Sequence, residues 1–474
     1  MKAASVRSVF WAGTEAAVSA VLSFLGAFVI ARLIGPSEFG IGAAAVAVHV
    51  LLWVTVNALF SDALVQCAAL DDGMASSAFW GSSLVGLLAA AAQAGCGWAL
   101  AVALHDSRLV PMCLLLAPPL PLVGAGGVVQ GLLTRRRAYR ALAGRAVIGQ
   151  GLGTLAGVVA ALSGAGAWAP VLQQAVGSGA GALTLLLRAR WRPRAACRRT
   201  DIVTLLRVGL PLTASTLVLA ARYRLFALLL GGTAGPSVLG ETHMAFRLVD
   251  TVRELSSTAL WRLTLPVLSE HQADIPALRA ACDRMLRWIS LAMLPLCGLM
   301  ALAVGPFTAR VLGRAWMSAG AAAEPLIALM AVLCVMFPAG VAVVARGQIG
   351  RAVGGNLACA VTTLAGVAIL RPGNATQAAL VWVAAQLVVL PYSLWINGRA
   401  LGTGMLRPLR AALPMLCATG VALAGAITVP ALAAAHGGWM TLVMERLGVF
   451  LVIGGLALVP LTRSGAAGWT GTRQ

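Results

Sequence analysis

The stretch GETHMAFRLVDTVRELSSTALWRLTLP, residues Gly240–Pro266, decides the fold, because it places charged groups inside a chain that is 60% hydrophobic. On an α-helix with ~100° per residue, five polar or aromatic side chains fall within a stripe of ~60°: His243, Arg247, Asp250, Glu254 and Trp261. Three charged residues near the centre of a lipid-facing helix would cost about 8–10 kcal/mol. We therefore predict a membrane-spanning helix whose charged face lines a water-filled cavity. The alternative is an amphipathic helix lying on the membrane surface.

The bulk composition indicates a polytopic membrane protein. Only 11% of the 474 residues are charged, and the mean hydropathy of +0.90 is too high for an ordinary soluble domain. The nine cysteines have no metal-ligand spacing. The chain contains no Gly-rich phosphate loop, nucleophile elbow or HExxH motif. We therefore expect no catalytic residue, metal or cofactor, and predict that the protein is not an enzyme.

Hydrophobic segments near the ~20 residues that a bilayer requires recur along the whole chain. About 14 can be drawn: residues 9–33, 40–65, 78–104, 109–133, 143–163, 167–187, 204–231, 238–266, 285–305, 320–345, 353–370, 375–396, 409–432 and 440–462. No soluble domain interrupts them. The predicted fold class is an all-α polytopic membrane protein with about 14 transmembrane helices.

The basic residues divide unequally between the two sides of these segments. With the N-terminus inside, 24 Lys and Arg residues lie on the inner side, 6 on the outer side and 5 within spans. This bias is the positive-inside pattern of a membrane protein, so the net charge of +20 does not indicate a nucleic-acid partner. If segment 238–266 did not cross, the bias downstream would invert, which favours a spanning helix. We predict cytoplasmic N- and C-termini.

A six-residue pattern recurs 200 residues apart. Gly35–Gly40 reads GPSEFG and Gly235–Gly240 reads GPSVLG, and each copy follows an apolar helix and precedes a long span. Six helices separate the two copies, an even number, so both halves keep the same orientation. We predict an N-terminal six-helix lobe, residues 1–190, and a parallel C-terminal six-helix lobe, residues 200–400, around a central cavity. Two extra transmembrane helices and a short cytoplasmic tail occupy residues 405–474.

Several motifs carry a resemblance to a known family. They are ARLIGPSEFG (Ala31–Gly40), ALVQ (Ala63–Gln66), LLTRRRAYRAL (Leu132–Leu142), VGLP (Val208–Pro211), LGETHMAFRL (Leu239–Leu248) and a Pro–Val–Leu–Ser stretch (Pro266–Ser269). Together they resemble bacterial polysaccharide or oligosaccharide-lipid flippases, in the superfamily that includes multidrug extruders. The loop after the second helix departs from the family, since it carries Asp71 and Asp72 where basic residues are common.

The resemblance implies export of a lipid-linked oligosaccharide across the bacterial cytoplasmic (inner) membrane, by alternating access, for surface polysaccharide or exopolysaccharide biosynthesis. It implies membrane lipids around the protein, a coupling H⁺ or Na⁺, and a monomer for which polysaccharide assembly proteins are candidate partners. A multidrug or organic-ion exporter of the same fold is the main alternative. A membrane-embedded glycan polymerase or ligase is disfavoured, because such enzymes need a sizeable outer loop. A scaffold without activity remains a further reading.

The substrate that the resemblance implies has a pyrophosphate head group, which the forked donors of a guanidinium suit. We predict substrate-binding roles for four arginines: Arg247, Arg224, Arg222 and Arg253. We predict ion-coupling roles for three acids: Asp250, Glu254 and Glu15. The alternative is that the charges of the Gly240–Pro266 stretch neutralise one another at i+3 and i+4 spacing. His243 is expected to form hydrogen bonds near the outer end. Four glutamines could bind sugar hydroxyls or neighbouring helices: Gln130, Gln150, Gln173 and Gln174.

Overall fold

The computed structural model describes residues 2–67, 70–189, 191–195, 197–432 and 445–454, and every regular element in these ranges is a helix. The α-helices are α1 (Lys2–Gln66), α2 (Asp72–Leu104), α3 (Leu109–Leu116), α4 (Pro119–Arg135), α5 (Tyr139–Leu162), α6 (Trp168–Arg188), α7 (Arg199–Ala234), α8 (Pro236–Glu270), α9 (Ile275–Phe307), α10 (Met317–Ala345), α11 (Ile349–Leu370), α12 (Ala375–Leu401) and α13 (Arg407–Leu432). A π-helical turn, Thr308–Leu312, and a 3₁₀ turn, Arg314–Trp316, join α9 to α10.

The predicted segments from 9–33 to 409–432 each fall on observed helices. The segment 109–133 is divided into α3 and α4, because Pro118 and Pro119 lack the N–H groups that a continuous helix needs. The last segment, 440–462, is described only over 445–454, where it is helical. In the described ranges, nine helical segments are long and apolar enough to cross a membrane, with Leu109–Arg135 counted as one segment across α3 and α4, so the count of 14 spans stays a prediction.

Both copies of the GPSxxG pattern adopt the same backbone turn. Gly35 has φ 78° and ψ 171°, and Gly235 has φ 91° and ψ 169°. A positive φ is accessible to glycine without the steric penalty that a Cβ atom brings. Each glycine is followed by a proline that begins the next helix, so the chain leaves one long helix and enters another without an intervening loop.

The two copies also contact each other. A Cβ atom added to Gly40 would lie 2.9 Å from the backbone nitrogen of Gly240 and would overlap the carbonyl oxygen of Pro236. A Cβ atom added to Gly240 would lie 3.0 Å from the backbone nitrogen of Gly40 and would overlap the carbonyl oxygen of Pro36. The helices that begin at the two prolines therefore cross backbone against backbone, and the contact is reciprocal.

The structure divides into two compact units. The first comprises residues Met1–His243 and Val367–Asn374, and the second comprises Met244–Gly366 and Ala375–Gln474. Each unit has apolar cores of its own. One core of the first unit includes Phe60 and Leu205, and one core of the second unit includes Leu302 and Phe450. The predicted six-helix lobes remain a prediction.

A cluster of charges joins three connections of the first unit. Arg108, between α2 and α3, donates through both terminal nitrogens to the Glu38 carboxylate at 3.0 Å, and it contacts Asp106 at 2.8 Å. Glu38 lies one turn after the Gly35 break, and it also accepts the backbone N–H of Ala167 at 2.8 Å. The second GPSxxG copy has Val238 in place of Glu38, so this cluster belongs to the first copy alone.

We expect the Asp106→Asn variant to lose the ion pair with Arg108, which should lower the free energy of unfolding at pH 7 by about 0.5–1 kcal/mol. The loss is small because the pair is partly exposed to solvent. The hydrogen bond from Arg108 lowers the pKa of Asp106 below its ordinary value of 3.8. The stability that Asp106 contributes is therefore present above pH ~4 and is lost as the pH falls through the lowered pKa. Thermal unfolding in detergent at pH 7 and near pH 3 checks this. Glu270→Gln, at an exposed acid with no ion pair in the described ranges, is the control.

Candidate functional site

The predicted charged helix forms as one continuous helix, α8, of 35 residues. At 1.5 Å per residue it is ~52 Å long, more than the ~30 Å of a hydrocarbon core. Pro236 begins the helix, and Pro266 lies inside it near the C-terminal end. α8 is not among the nine apolar candidates, since its charged residues lower its hydropathy. Its path across the membrane stays a prediction.

Arg247 lies in the most closely packed part of α8. Its neighbours Phe246 and Leu248 are 5% and 7% exposed, whereas Arg247 itself is half-buried. The Phe246 ring packs edge-on against Trp382 of α12, with ring centroids 4.9 Å apart. The Arg247 Nε atom is buried, although the residue as a whole is only half-buried. This combination suits a guanidinium that must meet a polar ligand.

Asp250 and Arg253 form an ion pair within α8. The Arg253 Nε atom lies 2.8 Å from Asp250 Oδ1, and the two side chains are 49% and 31% exposed. The i+3 neutralisation that the sequence allowed is therefore present for this pair. Glu254 is exposed beside it. In this region the structure holds a paired acid, an exposed acid and a half-buried arginine on adjacent turns.

The predicted arginines of α7 lie in the first unit. Arg222 and Arg224 are both half-buried, and the Arg224 guanidinium lies 5.3 Å from the ring centroid of its neighbour Tyr223. The Tyr223 hydroxyl is hydrogen-bonded to His243 Nδ1 at 2.8 Å, which agrees with the expected role of His243. Phe39 packs beside the same imidazole, with centroids 5.7 Å apart. Tyr223 was not predicted from the sequence, although a tyrosine between two arginines of an apolar helix is a usable signal.

Three of the four glutamines bind protein groups through their side chains. Gln130 accepts from Arg145, Gln150 donates to Thr154 at 3.2 Å, and Gln173 approaches the same Thr154 hydroxyl at 3.5 Å. The Gln130 and Gln173 contacts join neighbouring helices, whereas the Gln150 contact lies within α5. The side chain of Glu15 lies outside the described residues. Within the described ranges, no three His, Cys, Asp or Glu side chains form a group that could hold a metal ion.

Comparisons with known proteins agree with this architecture. The family model described as "Polysaccharide biosynthesis protein" matches residues 29–321. The succinoglycan biosynthesis transport protein ExoT of Rhizobium meliloti (strain 1021) is 24% identical over 268 residues, which are 56% of this chain and 54% of that protein. The chain thus spans about half the length of this curated relative.

Two solved structures share the fold. The lipid II flippase MurJ, in an inward closed conformation, is 13% identical, with a TM-score of 0.72 over 95% of this chain and 99% of that chain. A multidrug resistance MATE family transporter of the MOP superfamily, in an inward-facing conformation, is 13% identical, with a TM-score of 0.61 over 80% and 94%. At 13% identity, these two similarities are evidence for the fold alone.

Proposed function

This chain belongs to the polysaccharide biosynthesis protein family, and from that premise we propose that it flips a lipid-linked oligosaccharide across the cytoplasmic membrane. The family match confirms the resemblance inferred from the sequence motifs, and the protein is a multi-pass membrane protein. A curated relative is named as a succinoglycan biosynthesis transport protein, and a protein of the same fold is a lipid II flippase. The observation that carries the proposal is Arg247, which is half-buried between the buried apolar residues Phe246 and Leu248 on the predicted polar stripe of α8.

In the proposed mechanism, Arg247 binds the pyrophosphate of the lipid carrier. A guanidinium can donate two parallel hydrogen bonds to phosphate oxygens, which positions the head group as well as holding it. Arg222, Arg224 and Arg253 supply further positive charge. The sugar and the lipid then cross as the two six-helix lobes alternate between inward and outward openings.

Ion coupling in this proposal uses the Asp250–Arg253 pair. When substrate phosphate binds Arg253, Asp250 loses its cationic partner and becomes able to bind a proton or Na⁺. Glu254 and Glu15 are the other candidate acids.

We expect the Asp250→Asn variant to transport substrate without responding to an imposed H⁺ or Na⁺ gradient. The reason is that a neutral amide has no negative charge with which to bind either cation. Flux in proteoliposomes measures this, with Glu270→Gln as the control. An unchanged gradient response in Asp250→Asn would assign the coupling elsewhere.

The flippase proposal is tested in the organism that carries the protein. Deleting the gene should remove surface glycan and accumulate lipid-linked oligosaccharide in the inner leaflet, and a plasmid copy should restore export. A multidrug exporter, the alternative that the MATE-like fold favours, would leave the glycan intact and change the export of organic cations. The half-buried arginine disfavours cationic substrates, because like charges repel.

A further inference from the structure

A cavity of about 220 Å³ lies in the first unit, and none of its lining residues is among the predicted transport residues. Its lining consists of Leu70, Asp71, Asp72, Ala75, Leu132, Arg135, Arg136 and Trp191. At ~30 Å³ per water molecule, this volume equals about seven waters, which is room for a phosphate group and a short substituent. The cavity is mixed in character, with both signs of charge and an apolar wall.

The two signs of charge come from different elements. The carboxylates of Asp71 and Asp72 lie at the start of α2, while Arg135 and Arg136 lie at the end of α4. An ionised carboxylate can accept about four hydrogen bonds. Asp71 accepts one from the Met74 N–H at 2.7 Å, and Asp72 meets one guanidinium nitrogen of Arg194 at 3.2 Å. The Asp71 and Asp72 carboxylates, which form the acidic wall of the cavity, can therefore accept further hydrogen bonds.

Arg135 and Arg136 form the basic wall of the cavity and can donate hydrogen bonds to a ligand. Arg135 donates to the Leu64 and Cys67 carbonyl oxygens, so it is held in place at the end of α1. The exposed Arg136 side chain forms no hydrogen bond or ion pair with the described residues. A guanidinium has five N–H donors in a fork that suits phosphate oxygens.

Two tryptophans, residue types typical of the membrane interface, lie in or near the cavity. Trp191 lines the cavity and packs against Phe79, with ring centroids 6.1 Å apart. The neighbouring Trp80 donates from Nε1 to the Arg194 carbonyl oxygen at 3.0 Å. Tryptophans with one apolar and one polar end concentrate at the level of lipid head groups. The positive-inside count predicts that this end faces the cytoplasm.

We propose that this cavity binds the head group of a membrane phospholipid that carries both a phosphate and a primary ammonium. The phosphate meets Arg135 and Arg136, and the ammonium donates to Asp71 and Asp72. Leu132 and Trp191 contact the first carbons of the lipid. The residues of this site differ from those proposed to bind the exported saccharide, so the two proposals stand on different observations.

Binding of three lipids to the purified full-length protein tests the proposal by native mass spectrometry: phosphatidylethanolamine, phosphatidylglycerol and phosphatidylcholine. We expect phosphatidylethanolamine to bind about tenfold more tightly than either competitor, because only it satisfies both walls. Arg136→Gln should lower its affinity about tenfold. Asp72→Asn should remove the preference over phosphatidylcholine, whose methylated nitrogen cannot donate.

Two control variants separate this site from general charge effects. Arg137→Gln removes an adjacent charge that does not line the cavity, and Arg194→Gln breaks the ion pair of Asp72 but leaves its carboxylate. Equal binding of the three lipids, or an Arg137→Gln effect as large as that of Arg136→Gln, would overturn the proposal. So would displacement of phosphatidylethanolamine by a lipid-linked pyrophosphate, since that would assign the cavity to the substrate. Because the assay measures no transport, its outcome is independent of the flippase test.

Discussion

Replacing Arg247 with alanine is expected to abolish surface glycan while the protein still inserts in the membrane. The variant loses both hydrogen bonds that the guanidinium would donate to pyrophosphate. At about 1.5–3 kcal/mol for each bond to a charged group, the affinity should fall by roughly a hundredfold or more. Arg247→Lys should restore part of the activity, because it keeps the charge and loses the fork. Surface glycan and membrane-inserted protein are measured in the same cells.

The matched control is Arg262→Ala, at an exposed arginine on the same helix. It removes one positive charge from α8 without touching the closely packed part around Phe246 and Leu248. Export should then stay near the parent level. Normal export by Arg247→Ala would remove Arg247 from the site, and equal losses in the two variants would point to the net charge of α8 as the cause.

Gly40→Ala and Gly240→Ala are expected to impair the protein to a similar degree, although the two positions are 200 residues apart. Each added methyl group would overlap a carbonyl oxygen of the opposite copy, and the backbone there cannot move without displacing a helix start. Overpacking of this kind costs about 1–3 kcal/mol. Thermal unfolding in detergent and glycan export should both decline, because the two helix starts can no longer approach closely.

Gly95→Ala provides the comparison, since a Cβ atom at that helical position of α2 would meet nothing within 4 Å. It should be neutral or stabilising, as alanine has about 1 kcal/mol more helix propensity than glycine. If Gly40→Ala and Gly240→Ala were as stable and active as Gly95→Ala, the backbone crossing would not exist in the membrane.

The sequence predicted those features of the fold that local chemistry determines. GPSxxG specified the turns at Gly35 and Gly235. The break between α3 and α4 was not predicted, since segment 109–133 was drawn as one span, although the Pro118–Pro119 pair is a local signal for it. Side-chain partners from distant segments could not be predicted in the same way. Glu38 and Arg108 lie 70 residues apart and meet only because of how α1 and α2 pack.

For the candidate site, the sequence indicated which residues to consider, but it did not predict which of them contact residues of other helices. The i+3 spacing of Asp250 and Arg253 allowed their ion pair, because helix geometry alone brings them together. The Tyr223–His243 hydrogen bond joins α7 to α8 and has no spacing rule. Arg247 was singled out by its place on the stripe. The packing of the neighbouring Phe246 depends on Trp382, which lies far along the chain.

The reciprocal contact of Gly40 and Gly240 also bears on ancestry. Contacts in which residue i meets j while j meets i are the mark of a twofold-symmetric dimer interface. In a half-length ancestor that formed a dimer with itself, one glycine would have contacted the same glycine of the second subunit. A single codon would then have specified both glycines of the contact. After duplication and fusion of that gene, two separate codons would specify the two glycines. A substitution in either codon alone could then disrupt the contact.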